Sequence, residues 1–213
     1  SLDTLDSTGG ESLPLLEAAA PRLLKALRAK QVSGVFLILN THDFTDRTSG
    51  DRLPCVYLRD LDPEAAPSAD NSDVMFERAP AELVQAFGIT TDKAWTPAQQ
   101  YLEREEDAFY VRPFQAAYKS GEQTGAAADY GRWTTLPYTL LGDDREAIAY
   151  AQPLILDDGT VYGVLGIEML ESYMDTKLPW DELQNDHHGS YLLASTTSDL
   201  RGEELQIHVT ANT

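Results

Sequence analysis

EAIAYAQPLILDDGTVYGVLGIEML, residues 146 to 170, reads as an antiparallel hairpin at the centre of a sheet. Ala147, Ala149 and Ala151 alternate with Ile148, Tyr150 and Gln152, the period-two pattern of a half-buried strand. Pro153 removes a ladder donor, so it belongs at a strand edge or bulge. Asp157-Asp158-Gly159 supplies a tight turn, with Gly159 free to take positive φ. The return run from Thr160 to Met169 is β-branched and apolar. Its Gly163 and Gly166 remove side chains where something must approach the backbone closely.

Upstream of the hairpin, Tyr130 to Trp133 is expected to form a third strand, closing on Pro137-Tyr138, and Gly142-Asp143-Asp144 turns the chain into the central pair. Downstream, the chain is expected to be helical to about Thr176 and to break at Leu178-Pro179. Trp180 to Asn185 is then a short helix, and Tyr191 to Ala194 and Leu205 to Val209 are two more strands.

The N-terminal part begins with a helical pattern from Glu11 to Lys30. Leu16, Ala20, Leu23, Leu24 and Leu27 form one apolar stripe, which Pro21 kinks or restarts. Val32 to Thr41 contains a strand, Val35 to Leu39, that is apolar on both faces and therefore central. Pro54 to Asp60 is the next strand, with Cys55, Tyr57 and Arg59 on one face and Val56, Leu58 and Asp60 on the other. Leu61 to Asp73 is a loop. Its acidic residues lack the order and the closing glutamate of a calcium loop. Residues 75 to 119 are expected to be helical. One helix starts at Ala79-Pro80-Ala81-Glu82, a second at Thr96-Pro97-Ala98-Gln99 with Thr96 as N-cap and with Tyr101 and Leu102 facing the core, and a third covers Asp107 to Tyr118.

Composition narrows the function classes. The 213 residues are 42% hydrophobic, enough to build a core. The formal charge of −19 supplies no basic footprint, so no nucleic-acid partner is expected. The acidity argues equally against binding anionic lipid headgroups. The lone cysteine, Cys55, cannot form an internal disulfide and reads as a buried strand residue. No apolar run of about 18 residues is present, the length a membrane-spanning helix needs, and no signal peptide is evident. His187 and His188 are adjacent and point apart, unlike a metal-binding i, i+4 pair; His42 and His208 stand alone. No nucleophile motif, zinc motif or phosphate loop occurs. Asp143-Asp144 and Asp157-Asp158 are explained by turn chemistry. No cofactor, metal or catalysis is expected.

The residues suited to a small-molecule pocket are Tyr110, Arg112, Phe114, Tyr130, Trp133, Tyr138, Tyr150 and Glu168. Aromatic walls with a few orienting polar groups are what such a pocket needs. Arg112 could hold a carboxylate in two parallel charge-assisted bonds, and Glu168 could hold an amine. The competing reading makes the aromatics core residues and pairs Arg112 with a surface acid.

The order apolar strand, Pro153, acidic-Gly turn and Gly163-Val-Leu-Gly-Ile-Glu168 resembles the last hairpin of a Cache domain, the PAS-like extracytoplasmic sensor of bacterial receptors. The resemblance extends through Trp133 and Pro137-Tyr138 and, more weakly, over residues 12 to 195. It implies an α+β fold: a PAS-like antiparallel sheet flanked by a long N-terminal helix (1–32) and further helices, with the sensor module at 33–178. It also implies that 179–213 begins a second, membrane-proximal module or a C-terminal extension. Arg112-Pro113-Phe114-Gln115 resembles the Arg-x-Trp-Tyr segment of amino-acid-sensing members. Phe114 stands for the tryptophan, Gln115 for the tyrosine, and Glu168 for the aspartate of the last hairpin. A carboxylate anchor is thereby implied, while modified amino acids, other carboxylates and amines stay open as ligands. The resemblance further implies the outer face of the bacterial membrane, tethering through flanking segments removed from an expressed fragment, an output domain elsewhere, and a homodimer through the N-terminal helix. Two other classes compete: a ligand-free dimerisation module, and a metal-dependent hydrolase using Asp60, Asp62 and Asp73.

Overall fold

The computed structural model describes residues 12–30, 32–40, 52–100, 108–119, 127–134, 136–185, 190–196 and 205–212. In chain order the elements are α1 (Ser12–Lys30), β1 (Gly34–Leu39), β2 (Arg52–Leu53), β3 (Cys55–Asp60), β4 (Val74–Arg78), α2 (Ala81–Phe87), β5 (Thr90–Thr96), β6 (Gln99–Gln100) and α3 (Ala108–Lys119). A 3-10 helix (Ala127–Tyr130) follows, then β7 (Arg132–Trp133), β8 (Tyr138–Thr139), β9 (Glu146–Ile155), β10 (Val161–Leu170), α4 (Glu171–Thr176), α5 (Trp180–Asn185), β11 (Ser190–Thr196) and β12 (Leu205–Asn212).

The main sheet runs β5-β4-β3-β1-β10-β9-β7, with β8 also paired to β9. Its antiparallel core, β3-β1-β10-β9-β7, has the order 2-1-5-4-3 when those five strands are numbered along the chain. This is a PAS-like sheet, flanked by the long N-terminal helix as expected. The 146–170 hairpin lies next to the wholly buried β1. Gly159 takes φ +85° in its turn. A Cβ on Gly166 would stand 2.2 Å from the Phe36 ring, and one on Gly163 would stand 2.8 Å from the Ile38 carbonyl. Both glycines are therefore sites of close approach. Pro153 pairs with Val164 beside a bulge between Val161 and Gly163.

The two faces of the sheet are covered differently. Leu16, Ala20, Leu23 and Leu27 of α1 bury against Val35, Leu37, Leu39, Val56 and Leu58. The helix is continuous through Pro21, which lies on its exposed side. On the opposite face Phe109, Tyr110 and Phe114 of α3 pack on Phe36, Ile38, Cys55, Tyr57, Ala149 and Ala151. Cys55 is fully buried, and burial pushes its thiol up to about 12.

Residues 75 to 119 depart from the expectation in part: α3 forms where the third helix is expected, but no helix starts at Thr96. Val74–Arg78 and Thr90–Thr96 are strands, and they pair in parallel through the α2 crossover. Helix α2 does start after Pro80, and it ends at Gly88, which is left-handed at φ +62°. The Thr96-Pro97-Ala98-Gln99 signature starts no helix. The Thr96 hydroxyl donates to the Ala98 carbonyl and the chain bends directly into β6. Thr90-Thr91 and Trp95-Thr96 are β-formers, and sheet pairing overrides the local capping pattern. Tyr101 and Leu102 lie outside the described residues, as do His42, His187 and His188.

Strands β11 and β12 pair with each other in a separate two-stranded sheet. Among the described residues no helix is long and apolar enough to cross a membrane.

Candidate functional site

Five side chains from three strands converge on the α3 face, joined by Tyr138 of β8. Tyr57 and Arg59 leave β3 on the side opposite Val56 and Leu58, by strand alternation. Glu168 leaves β10 on the same side as Val164. Glu77 is skipped in the pairing of β4 with both neighbours, since Tyr57 opposes Arg78 and Leu58 opposes Phe76. That bulge re-aims the strand, so that Glu77 and the adjacent Arg78 both reach this face.

The convergence forms a closed charge network. Arg59 donates from Nε to Glu168 Oε1 at 2.8 Å and from Nη2 to Glu168 Oε2 at 3.0 Å. Its Nη1 donates to Glu77 Oε2 at 2.8 Å. Arg78 donates to the other Glu77 oxygen. Glu168 Oε2 also accepts from the Tyr57 hydroxyl and, at 2.8 Å, from the Tyr138 hydroxyl. Burial, then the Glu168 charge, raises both phenols well above their ordinary value. Burial lowers the Arg59 pKa, Glu168, Tyr57 and Glu77 together more than offset this, and the net shift is upward. Two guanidinium groups and two carboxylates leave no net charge, and such a pair network persists in a buried site only when its hydrogen bonds are satisfied.

Above the network lies a cavity of about 460 Å³, within the range of small-molecule sites. Tyr57, Arg59, Glu77 and Arg78 form its floor. Ala94, Thr96, Gln99 and Gln100 from β5 and β6 form one wall. Phe109 and the Pro137–Leu141 segment form the other. The two walls meet at one end, where a Cβ on Gly142 would lie 3.4 to 3.8 Å from Asp92, Lys93 and Ala94. Arg145 holds that segment from below. It grips Asp143 through Nη2 at 2.7 Å and donates from Nη1 to the Leu61 carbonyl at 3.0 Å.

Of the residues singled out from the sequence, Tyr138 lines this cavity and Glu168 lies beneath it, its two oxygens engaged by protein donors. Tyr110 and Phe114 are buried in the core under α3, their rings 5.0 Å apart. Arg112 is half-buried and Gln115 exposed on the same helix. Tyr130 is buried in the 3-10 helix. The Trp133 and Tyr150 rings pack against each other, tilted, with centroids 5.1 Å apart. They sit in register with Ile167 on the sheet face that carries α1, the other side from Glu168. Sequence reasoning passed over Tyr57, Arg59, Glu77, Arg78 and Phe109. Two of them carried a signal: Arg59 and Glu77, like Glu168, are charges among apolar strand residues, and inward charges of opposite sign on separate strands point to a buried network.

The acidic loop is also accounted for geometrically. Asp73 is held by Arg28 in two bonds of 2.9 Å each and accepts the Ser68 amide at 3.0 Å. Asp60 accepts the Asp62 amide at 3.0 Å.

No protein-family profile and no curated protein matches the chain. Among solved structures, it is similar to an extracellular domain assigned to a histidine kinase, soHK1S-Z6, at 13% identity and TM-score 0.42, covering 90% of this chain and 53% of that one. It is similar to methyl-accepting chemotaxis protein X at 17% and 0.41, covering 84% and 54%. It is also similar to the periplasmic sensory domain of the Campylobacter jejuni chemoreceptor Tlp1 at 14% and 0.40, covering 87% and 62%. The chain thus spans between about half and three-fifths of the length of these structures.

Proposed function

We propose that this chain is a ligand-sensing domain from the outer face of a bacterial membrane receptor, a chemoreceptor, histidine kinase or diguanylate cyclase, and that it performs no catalysis. The observation that carries the reading is the cavity of about 460 Å³ above the Arg59–Glu168 network on the PAS-like sheet. Its mixed aromatic and polar walls suit a small molecule, a carboxylate or an amino-acid-like compound. The resemblance of the 146–170 hairpin to Cache sensors supports the same reading. Arg112 with Gln115 on α3 is the second place where a carboxylate could be held. Residues 179–213 begin a membrane-proximal unit or form a C-terminal extension, and α1 is the face of a homodimer in this reading.

Signalling in this reading requires a ligand that prefers one of two arrangements of α1 and the sheet. A short connection exists for it. Ser33, just after α1, accepts the Asp60 amide on its carbonyl at 2.8 Å and the Leu170 amide on its hydroxyl at 2.9 Å. Its own amide donates to the Glu168 carbonyl at 3.0 Å. The chamber floor is therefore one residue from the end of the helix connection.

A thermal-shift screen of amino acids, small carboxylates, amines and purines tests the proposal. A ligand at about 100 times its dissociation constant stabilises by about 2.7 kcal/mol, a rise of roughly 5 to 11 °C for a chain of this size. Silence across the whole library would overturn it.

A further inference from the structure

The charges around the chamber differ in what they offer a ligand. Glu168 is fully buried, and both its oxygens are taken by Arg59, Tyr57 and Tyr138. The side chains of Glu77 and Arg59 are 2% and 3% exposed, and each is bonded to the other. Arg78 is the most accessible of the four at 11%, and a guanidinium has five donors, of which Nη1 goes to Glu77. Among the described residues the charge presented to the cavity is thus positive, although the network is neutral as a whole. The remaining lining is polar without charge (Thr96, Gln99, Gln100, Thr139) or apolar and aromatic (Phe109, Leu140).

An ammonium group entering this chamber would meet Arg78 and carboxylates already engaged by guanidinium and phenol donors. Leaving a charge desolvated without a partner is costly. A carboxylate would find the Arg78 fork, whose geometry matches it in two charge-assisted bonds. Resting on the chamber reading above, we infer that the ligand is a small organic carboxylate that carries no ammonium, anchored by Arg78, with an apolar or aromatic body against Phe109, Tyr138 and Leu140. An α-amino acid is the poorer ligand class for this chamber, because among the described residues its ammonium would meet only uncharged acceptors and a Glu77 carboxylate already shared by two guanidinium groups.

Two matched series on the wild-type protein test the inference by calorimetry. One is 3-phenylpropionate, phenylalanine and phenethylamine. The other is 4-methylpentanoate, leucine and 3-methylbutylamine. Each set holds the body constant while changing the charged groups. The expected result is binding by the carboxylate of at least one set, with the amino acid and the amine about tenfold weaker or worse. Arg78→Met should abolish that binding, and Arg78→Lys, which keeps the charge without the fork, should weaken it. An amino acid or amine that binds as tightly as its matched carboxylate overturns the inference and leaves the chamber reading standing. Silence from all six also overturns it. The chamber reading falls separately, on silence across the broad library.

Discussion

Arg59 on β3 and Glu168 on β10 form a two-bond ion pair although they are not on neighbouring strands. Strand β1 runs between them, and its residue in register with both is Gly34. The Arg59 side chain crosses the sheet where Gly34 has no side chain. A Cβ there would lie 3.0 Å from Glu168 Cβ and Oε1 and 3.2 Å from the Tyr57 ring. One missing methyl group in the middle of a buried sheet thus lets a charge network form across three strands.

Gly34→Ala is therefore expected to destabilise the fold by about 1–3 kcal/mol, the usual cost of overpacking a site that cannot relax. Glu168 is held by several bonds and cannot shift without breaking them. Urea unfolding measures the effect. A variant as stable as the wild type would show that the crossing has slack.

Removing Glu168 itself should cost more. Glu168→Ala leaves Arg59 with only Glu77 in a buried site, and breaking a buried pair typically costs about 3–5 kcal/mol. The same unfolding measurement should show a loss larger than that of Gly34→Ala. A loss below about 1 kcal/mol would mean that the network behaves like an exposed surface pair.

Arg28 and Asp73 provide the contrast. Their side chains are 19% and 21% exposed, so the pair that ties α1 to the β3–β4 loop should be worth no more than about 1 kcal/mol. The Arg28 hydrogen bonds hold the Asp73 carboxyl below its ordinary value. A depressed folded pKa stabilises above the unfolded value and is lost as pH falls. The deficit of Arg28→Ala relative to wild type should therefore be full at neutral pH and shrink below about pH 4. A deficit that stays constant down to the acid transition would assign the Arg28 contribution to packing.

Cys55 gives the alkaline counterpart. Its thiol is pushed up to about 12 by burial, from an ordinary 9.0. The unfolded chain ionises first, so stability should be unaffected below about pH 9 and should fall as pH rises from there toward 12. Tyr57 and Tyr138, also raised, add to the same decline at higher pH. Cys55→Ala should fall less steeply. Native protein should also resist thiol labelling at neutral pH and react only in denaturant; rapid native labelling would contradict the burial.

The hairpin was legible because its signals are local. Alternation over 146–152, the turn at Gly159 and the small residues at Gly163 and Gly166 each have a geometric meaning that survives folding. The buried β1 strand was legible from its unbroken apolar run for the same reason. The β4–α2–β5 crossover was not. Its parallel pairing joins segments that have no turn between them, and the Thr96-Pro97-Ala98-Gln99 pattern imitates a helix start. The site was half legible. Tyr138 stood out as an aromatic and Glu168 as a charge in the last hairpin; Arg59 and Glu77 stood out only as charges among apolar strand residues, and that they meet depends on a strand order and a bulge that no local pattern discloses. Trp133 and Tyr150 looked like pocket aromatics because sequence proximity to the hairpin does not say which face of the sheet a two-residue strand presents.

Ligand binding compared between wild type, Ala94→Trp and Arg112→Ala tests the central claim most directly. Ala94 stands in the chamber wall, and an indole there would fill the space above Arg78. A compound that raises the wild-type midpoint by roughly 5 to 11 °C near saturation should have no effect on Ala94→Trp and its full effect on Arg112→Ala. A compound that still stabilises Ala94→Trp but fails on Arg112→Ala would place the ligand against α3 and contradict the chamber as the sensing site.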